Sequence, residues 1–381
     1  MNDNFEVEIV GDAAVPAEGA IIKAIGVGGG GGNMINHMVQ QKITSIDLIV
    51  ANTDAQALDS SLAPYKIQIG KNVSRGRGCG MMPERGKEAA IEAYDEIKEA
   101  VNNSDLVFIA AGLGGGTGTG AAPVVAQAAK EVGALTVGVV TTPFKFEGRK
   151  RAKLAEEGLK ELKKECDSII VIPNERLLSI TEKNLGIKES FKLVDDVLAQ
   201  AVSGITNVIV SHSSSDINLD FADVRTVMSH KGLALMGVGK AEGQNAAYDA
   251  AMQAINSPLL GEISIDGAKG ILVHFTIHPD YPMIQIAEAM NAVEEFADDE
   301  AYVIFGTTTN ENIPEDEVSI TIIATGFDKE LDLSDNNSSA APSKPMVREQ
   351  RTSRPAPTVR KIVGLDESYY DTPTFLREQR D

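Results

Sequence analysis

The stretch "GLGGGTGTGAAP", residues 112–123, puts six glycines and two threonines into twelve positions. Glycine inside a regular element costs roughly 0.5–1 kcal/mol relative to alanine. A run this dense is therefore either a slack linker or a loop whose backbone wraps something. The flanks decide. "SDLVFIAAG" (104–112) ahead of it reads as a buried strand, and "TGAAPVVAQAAKEVG" (119–133) behind it as a helix ending at Gly133. The run is thus a strand-to-helix turn. Gly114, Gly115 and Gly116 can take positive φ without steric cost and turn their N–H groups inward as a nest, with the hydroxyls of Thr117 and Thr119 beside them. The helix starting near Thr119 aims its positive dipole end at the same spot. The expected occupant is an anion.

A second run, Gly26 and then Gly28 to Gly32 followed by Asn33, comes directly after the apolar strand "IIKAIGV" (21–27) and is expected to form a glycine turn leading into a helix. In a parallel sheet both turns emerge at the carboxyl ends of the strands, where ligands bind. Two anion cradles on one edge suit an extended phosphate chain. Gly26, Gly28 and Gly31 also fit G-x-G-x-x-G, and Asp54 stands where a dinucleotide fold places its ribose-binding acid. An NAD-dependent oxidoreductase is therefore a rival reading. Neither run contains GK[ST], so the loops bring no lysine to the phosphates.

Outward from these loops, apolar strands at 46–54, 65–70, 134–143 and 167–174 alternate with helical patterns at 84–103 and 149–165. This is the pattern of a parallel sheet covered on both faces. The predicted fold class is α/β. A doubly wound parallel-sheet nucleotide-binding domain (20–187) leads into a long central helix (188–210). An α+β C-terminal domain with a mixed sheet (211–330) follows, with strands near 232–241, 271–278, 302–310 and 318–326. Residues 1–19 read as a flexible arm. Ser, Pro and charges dominate 331–366, which reads as a disordered linker. Aromatics return in "DESYYDTPTFLREQRD", so 367–381 read as a docking peptide.

The formal net charge of −20 makes nucleic acid a poor partner, and no apolar run of about 18 residues was found that would insert into a membrane. Cys79 and Cys166 are the only cysteines, which fits a reducing cytosol. His274 and His278 lie four apart in "ILVHFTIHPD", a strand-like segment, and read as packed histidines rather than metal ligands. No protein metal site is expected.

Taken together, GGGTGTG at 114–120, "GVGGGGGN", "NTDAQAL", "FEGRKR", "IPNERLL" and "NLDFADVRTVM" resemble the tubulin/FtsZ superfamily of GTPases, on its bacterial cell-division side rather than that of eukaryotic tubulin. The resemblance runs along residues 20–330. It implies that Gly29, Gly30, Gly31, Gly32 and Asn33, with Gly116, Thr117 and Gly118, embrace the phosphates of GTP or GDP. Glu147 and Arg151 would reach the ribose and phosphates; without the family, their i,i+4 spacing reads as a surface salt pair. Asn174 and Asp195 would meet the ribose and the guanine edge, and Phe191 would stack on the base. Asn218, Asp220 and Asp223 match the superfamily's catalytic loop, which closes over the nucleotide of the next subunit. Asp220 also suits a helix N-cap.

The implied protein is a cytoplasmic GTPase that binds Mg²⁺ with its nucleotide and polymerises head to tail into the midcell division ring. Residues 367–381, similar to the superfamily's tail peptide, would dock on membrane-anchoring division proteins at the inner face of the membrane. A nucleotide-binding scaffold without turnover is the further alternative. One departure stands out: "GCGMMPE" (78–84) carries Met81 and Met82 where the superfamily usually has smaller or polar residues.

Overall fold

The computed structural model describes residues 19–180, 186–210, 216–260, 265 and 267–327. The arm up to residue 18, the polar loop 211–215, the whole linker and the whole docking peptide lie outside the described residues. The first half runs β1 (Ile22–Val27), α1 (Gly28–Gln40), β2 (Asp47–Asn52), α2 (Ala55–Asp59), β3 (Tyr65–Gln68), α3 (Pro83–Glu92), α4 (Tyr94–Ala100), β4 (Leu106–Gly112), α5 (Thr117–Glu131), β5 (Leu135–Thr142), α6 (Arg149–Glu165), β6 (Ser168–Pro173) and α7 (Asn174–Ile180). The second half runs α8 (Ile187–Val210), α9 (Phe221–Met228), β7 (Gly232–Glu242), α10 (Ala246–Ile255), β8 (Gly270–Ile277), α11 (Met283–Phe296), β9 (Tyr302–Thr309) and β10 (Glu317–Thr325).

All ten strands lie in one sheet, ordered β3-β2-β1-β4-β5-β6-β7-β10-β8-β9. Strands β3 to β6 are parallel, as the buried apolar runs predict. The second half is a mixed sheet: β10 is antiparallel to β7 and β8, and β9 is parallel to β8. The two halves join edge to edge through a short parallel pairing, Ser168↔Gly232 to Ile170↔Ala234. Strands β9 and β10 are consecutive in the chain, yet β8 lies between them in the sheet. The periodic stretch 84–103 is two helices, because the backbone leaves helical geometry at Ala93 (φ −105, ψ 20).

Helix α8 forms the spine. Its residues Val197, Leu198, Val202 and Ile205 pack into the core with Met34 and Ile35 of α1 and Val139 of β5. Lys188–Val210 is long and apolar enough to cross a membrane by composition, contrary to the sequence expectation. Its apolar face is instead used inside the protein. The opposite face of the parallel sheet is covered by α3 to α6, and α10 and α11 cover the mixed half.

Two consequences of this topology place the functional groups. Strands β1 and β4 are neighbours in register from Ile22↔Leu106 to Val27↔Ala111, so α1 and α5 begin side by side at the carboxyl edge. Helix α9 sits at the opposite edge. Arg225 donates to the Gly133 carbonyl just before β5 starts, at 3.1 Å. The Thr325 hydroxyl donates to the Val227 carbonyl at 2.7 Å.

Candidate functional site

The glycine run after β1 is not a turn. Val27 is both the last strand residue and the N-cap of α1, and the glycines form the first turns of the helix itself. Among these six residues only Gly28 has positive φ (+73), and in the second run only Gly114 does (+95); Gly116 is near-helical at φ −87. The nest that three glycines can form is thus reduced to one positive-φ residue. Its role passes to two helix N-termini. Neither α1 nor α5 has a side-chain cap or an acid in its first turn. Their leading N–H groups are left for an external anion.

The glycines divide by what surrounds them. A Cβ on Gly29 or Gly115 would meet open space. A Cβ on Gly31 would lie 2.2 Å from the Ala110 carbonyl oxygen, and one on Gly118 would lie 2.7 Å from that of Gly112. A Cβ on Gly28 would lie 2.8 Å from the Gly118 nitrogen, which brings the two helix starts together. Gly29, Gly30 and Asn33 are exposed, while Gly31, Gly32, Gly116 and Gly118 are buried. Some glycines therefore let backbone approach backbone, and others open the cradle.

The threonines differ as well. Thr119 is buried, and its hydroxyl accepts the Gly114 N–H at 2.9 Å, so it closes the loop rather than facing a ligand. Thr117 is partly exposed and shares a 2.7 Å hydroxyl contact with Thr53. Asp54 caps α2, accepting from the Gln56 and Ala57 N–H groups at 3.0 and 3.3 Å. The carboxylate needed by the dinucleotide reading is thereby occupied locally.

The basic, glycine-rich stretch 71–84, together with Arg85, encloses a cavity beside the start of α5. It measures about 590 Å³, and Arg75, Arg77 and Arg85 line it with Gly80, Met81 and Met82 and no carboxylate. The two methionines thus form part of a cavity wall, with Met82 also standing as the N-cap of α3. A Cβ on Gly116 would lie 2.2 Å from the Gly80 oxygen, so this loop rests directly on the start of α5.

The residues expected at the ribose and base gather beyond β5 and β6. Phe144 is buried. It stacks on the exposed Phe146 at 4.9 Å and meets Phe191 edge-on at 5.5 Å. Phe191 itself is 42% exposed, unlike a core phenylalanine. Glu147 accepts the Phe144 N–H at 2.9 Å and pairs with Arg151, so the i,i+4 pair anchors the loop under the aromatic patch. The Lys145 N–H donates to Glu175 at 2.9 Å, tying the start of α7 to the same loop. There Asn174 is buried, with its side-chain oxygen unpartnered. Asp195 lies one helical turn beyond Phe191; burial and the adjacent Asp196 push it up to about 7. Asp196 in turn contacts His37 of α1 at 2.5 Å, a link with no signature in the sequence.

Asn218, Asp220 and Asp223 are not in this group. Asp223 lies on α9 at the amino edge of the sheet, and Asn218 and Asp220 lie on the segment leading to it. That segment is pinned by the Ile217 N–H to Thr307 (2.8 Å) and by the Leu219 N–H to the Val208 carbonyl (3.1 Å). Asp220 occupies the N-cap position, yet its carboxylate makes no cap hydrogen bond. Asn218 and Asp220 are exposed, and among the described residues their side chains have no hydrogen-bond partner.

His274 is buried and bonds Thr308 at 2.9 Å; burial lowers its pKa to about 4. Among the described residues no cluster of His, Cys, Asp or Glu could hold a metal ion.

Residues 21–182 match the family model described as the Tubulin/FtsZ family, GTPase domain, and residues 232–328 the one described as the FtsZ family, C-terminal domain. The chain is 46% identical to the "Cell division protein FtsZ" of Helicobacter pylori (strain J99), over 98% of this chain and 96% of that protein. It is 46% identical to the protein of the same name from Azotobacter vinelandii, over 96% and 98% of the two chains. In structure it resembles the "FtsZ dimer, empty" of M. jannaschii, with a TM-score of 0.77 and 44% identity, covering 81% of this chain and 89% of that one.

Proposed function

Because the chain belongs to the tubulin/FtsZ family and is a GTPase of its cell-division branch, we propose that it completes its active site only where two copies meet head to tail. One observation carries this reading. The phosphate cradle lies at the carboxyl ends of β1 and β4, whereas Asp220 and Asp223 lie at the amino edge of the same sheet. Strands of six to eight residues separate the two edges, a span of roughly 20 Å at about 3.3 Å per residue. No side chain bridges that distance within one copy.

On this reading the triphosphate lies across the N-termini of α1 and α5, held by Gly29 to Asn33 and Gly116 to Gly118. Glu147 and Arg151 meet the ribose side, and Phe191 covers the base. The Asp195 carboxylate accepts the paired N–H donors of guanine, a pattern adenine lacks, and the unpartnered oxygen of Asn174 is available beside it. The described cradle offers N–H and hydroxyl groups rather than carboxylates, so Mg²⁺ would be held mainly by phosphate oxygens and water, where it balances their charge. Asn218, Asp220 and Asp223 of the next copy orient a water and polarise it. Its oxygen bonds to the γ-phosphorus as the bond to the β–γ bridging oxygen breaks, leaving GDP and phosphate.

A contact between different faces does not close on itself and so propagates as a filament. GTP at the contact stabilises it, and hydrolysis weakens it. The filaments form the division ring at midcell, and residues 367–381, outside the described residues, tether them to membrane-anchored partners.

The test is GTP turnover per chain as a function of protein concentration with Mg²⁺ present. Turnover near zero below a threshold, then rising, is the expected result. Constant turnover per chain at every concentration would mean a self-contained site and would end the shared-site reading. No turnover at all would favour a nucleotide-binding scaffold.

A further inference from the structure

In a capping box the side chain at the third residue of a helix, a Glu or Gln, folds back to accept the N-cap N–H group. Asp223 holds that position in α9 and does not do so. Its carboxylate instead accepts the phenolic O–H of Tyr302 at 3.2 Å. Tyr302 opens the edge strand β9, and its own N–H is fixed to the Lys269 carbonyl at 2.8 Å. Helix α9 is fixed independently through Val227 and Arg225. The phenol thus spans two rigid elements and meets the acid at a point that neither element reaches alone.

We propose that Tyr302 is a positioning residue for GTP hydrolysis. Its hydroxyl holds one Asp223 oxygen, draws the carboxylate away from the helix N-terminus, and leaves the other oxygen facing the nucleotide of the adjoining copy. A neutral donor suits this task. A lysine there would neutralise the charge that polarises the attacking water, whereas a phenol orients the carboxylate and leaves its charge intact. The Asp223 charge in turn raises the Tyr302 pKa, which keeps the donor protonated. Tyr302 is 46% exposed.

This inference rests on the assignment of Asp223 to hydrolysis, so Tyr302→Phe and Asp223→Asn are measured in parallel on the full chain. The readouts are kcat and KM for GTP, the assembly threshold and the thermal midpoint. The expected result is that Tyr302→Phe lowers kcat about 10–100-fold, on the scale of one hydrogen bond to a charged group, with KM, threshold and midpoint unchanged. Asp223→Asn lowers kcat much further. If Asp223→Asn loses turnover while Tyr302→Phe matches the parent, the role of Tyr302 is overturned and that of Asp223 stands. If Tyr302→Phe raises the threshold with kcat intact, Tyr302 belongs to the subunit contact and the positioning role is overturned. If Asp223→Asn turns over normally, the assignment of Asp223 falls and the inference falls with it.

Discussion

At the carboxyl edge of β1 and β4 the chain presents backbone; at the amino edge, around α9, it presents side chains. The first edge has two uncapped helix starts, glycines packed against carbonyls, and no acid in either first turn. The second has an N-cap aspartate without its cap bond and a third-position aspartate held outward by a tyrosine. An N-cap hydrogen bond is typically worth about 1 kcal/mol, so leaving Asp220 out of one costs stability that a purely structural residue would retain. The comparison teaches a division of labour. On the proposed reading the cradle binds through close backbone approaches that a Cβ on Gly31, Gly116 or Gly118 would disturb. On the same reading the far edge works through exposed charges, whose removal is expected to spare the fold.

The largest expected effect tests that division directly. Asp220→Ala is expected to lower turnover about 100–1000-fold, the scale of removing one preorganised polar group, while GTP affinity is retained. Mixing it with a cradle variant that cannot bind GTP restores part of the activity, because some contacts then pair an intact cradle with an intact Asp220. Loss of GTP affinity in Asp220→Ala, measured by equilibrium binding, would erase the distinction between the edges.

Gly116→Ala comes next. Its Cβ would stand 2.2 Å from the Gly80 oxygen and 3.0 Å from the Cys79 side chain. Overpacking of this kind costs about 1–3 kcal/mol, so GTP affinity is expected to fall about 10-fold or more, visible by calorimetry. An unchanged affinity would mean that the 78–82 loop moves aside freely.

The third effect is a pH dependence. Asp195 titrates near 7 in the free protein, raised first by burial and then by Asp196, which itself touches His37. Guanine's donors favour the ionised form, so binding releases a proton wherever the free carboxyl is protonated. Affinity is therefore expected to fall as pH drops below 7, by at most about tenfold per unit for one proton. Asp195→Asn is expected to flatten that slope, and a parent profile flat from pH 6 to 8 would remove Asp195 from the base pocket.

Thr117→Val is smaller. It removes the hydroxyl shared with Thr53, and GTP affinity is expected to fall about 3–10-fold, the worth of one hydrogen bond. Smallest of all, deleting 367–381 is expected to leave turnover per chain within about twofold while ending recruitment to a membrane-anchored partner in a co-sedimentation assay. A large loss of turnover would contradict the docking role.

Much of the architecture was legible because its signals are local. Continuous apolar strands such as "SDLVFIAAG" have no solvent face, and the α6 boundaries, Arg149–Glu165, coincide with the helical pattern read from 149 to 165. The two glycine-rich strand–helix junctions were legible too, since glycine density is a local signal. Their geometry was misjudged: composition does not reveal that α1 starts without a turn, or that Thr119 spends its hydroxyl on Gly114. The His37–Asp196 contact was invisible, because it joins residues far apart in the chain.

The sequence by itself determined the layered α/β plan, the two glycine junctions and the family, because hydrophobic period and glycine placement act within a dozen residues. Only the tertiary structure decided that both halves share one sheet, that Tyr302 meets Asp223, and that cradle and carboxylates occupy opposite edges. Those facts follow from strand order and direction. They are set by the burial of whole faces at once, and no local segment encodes them.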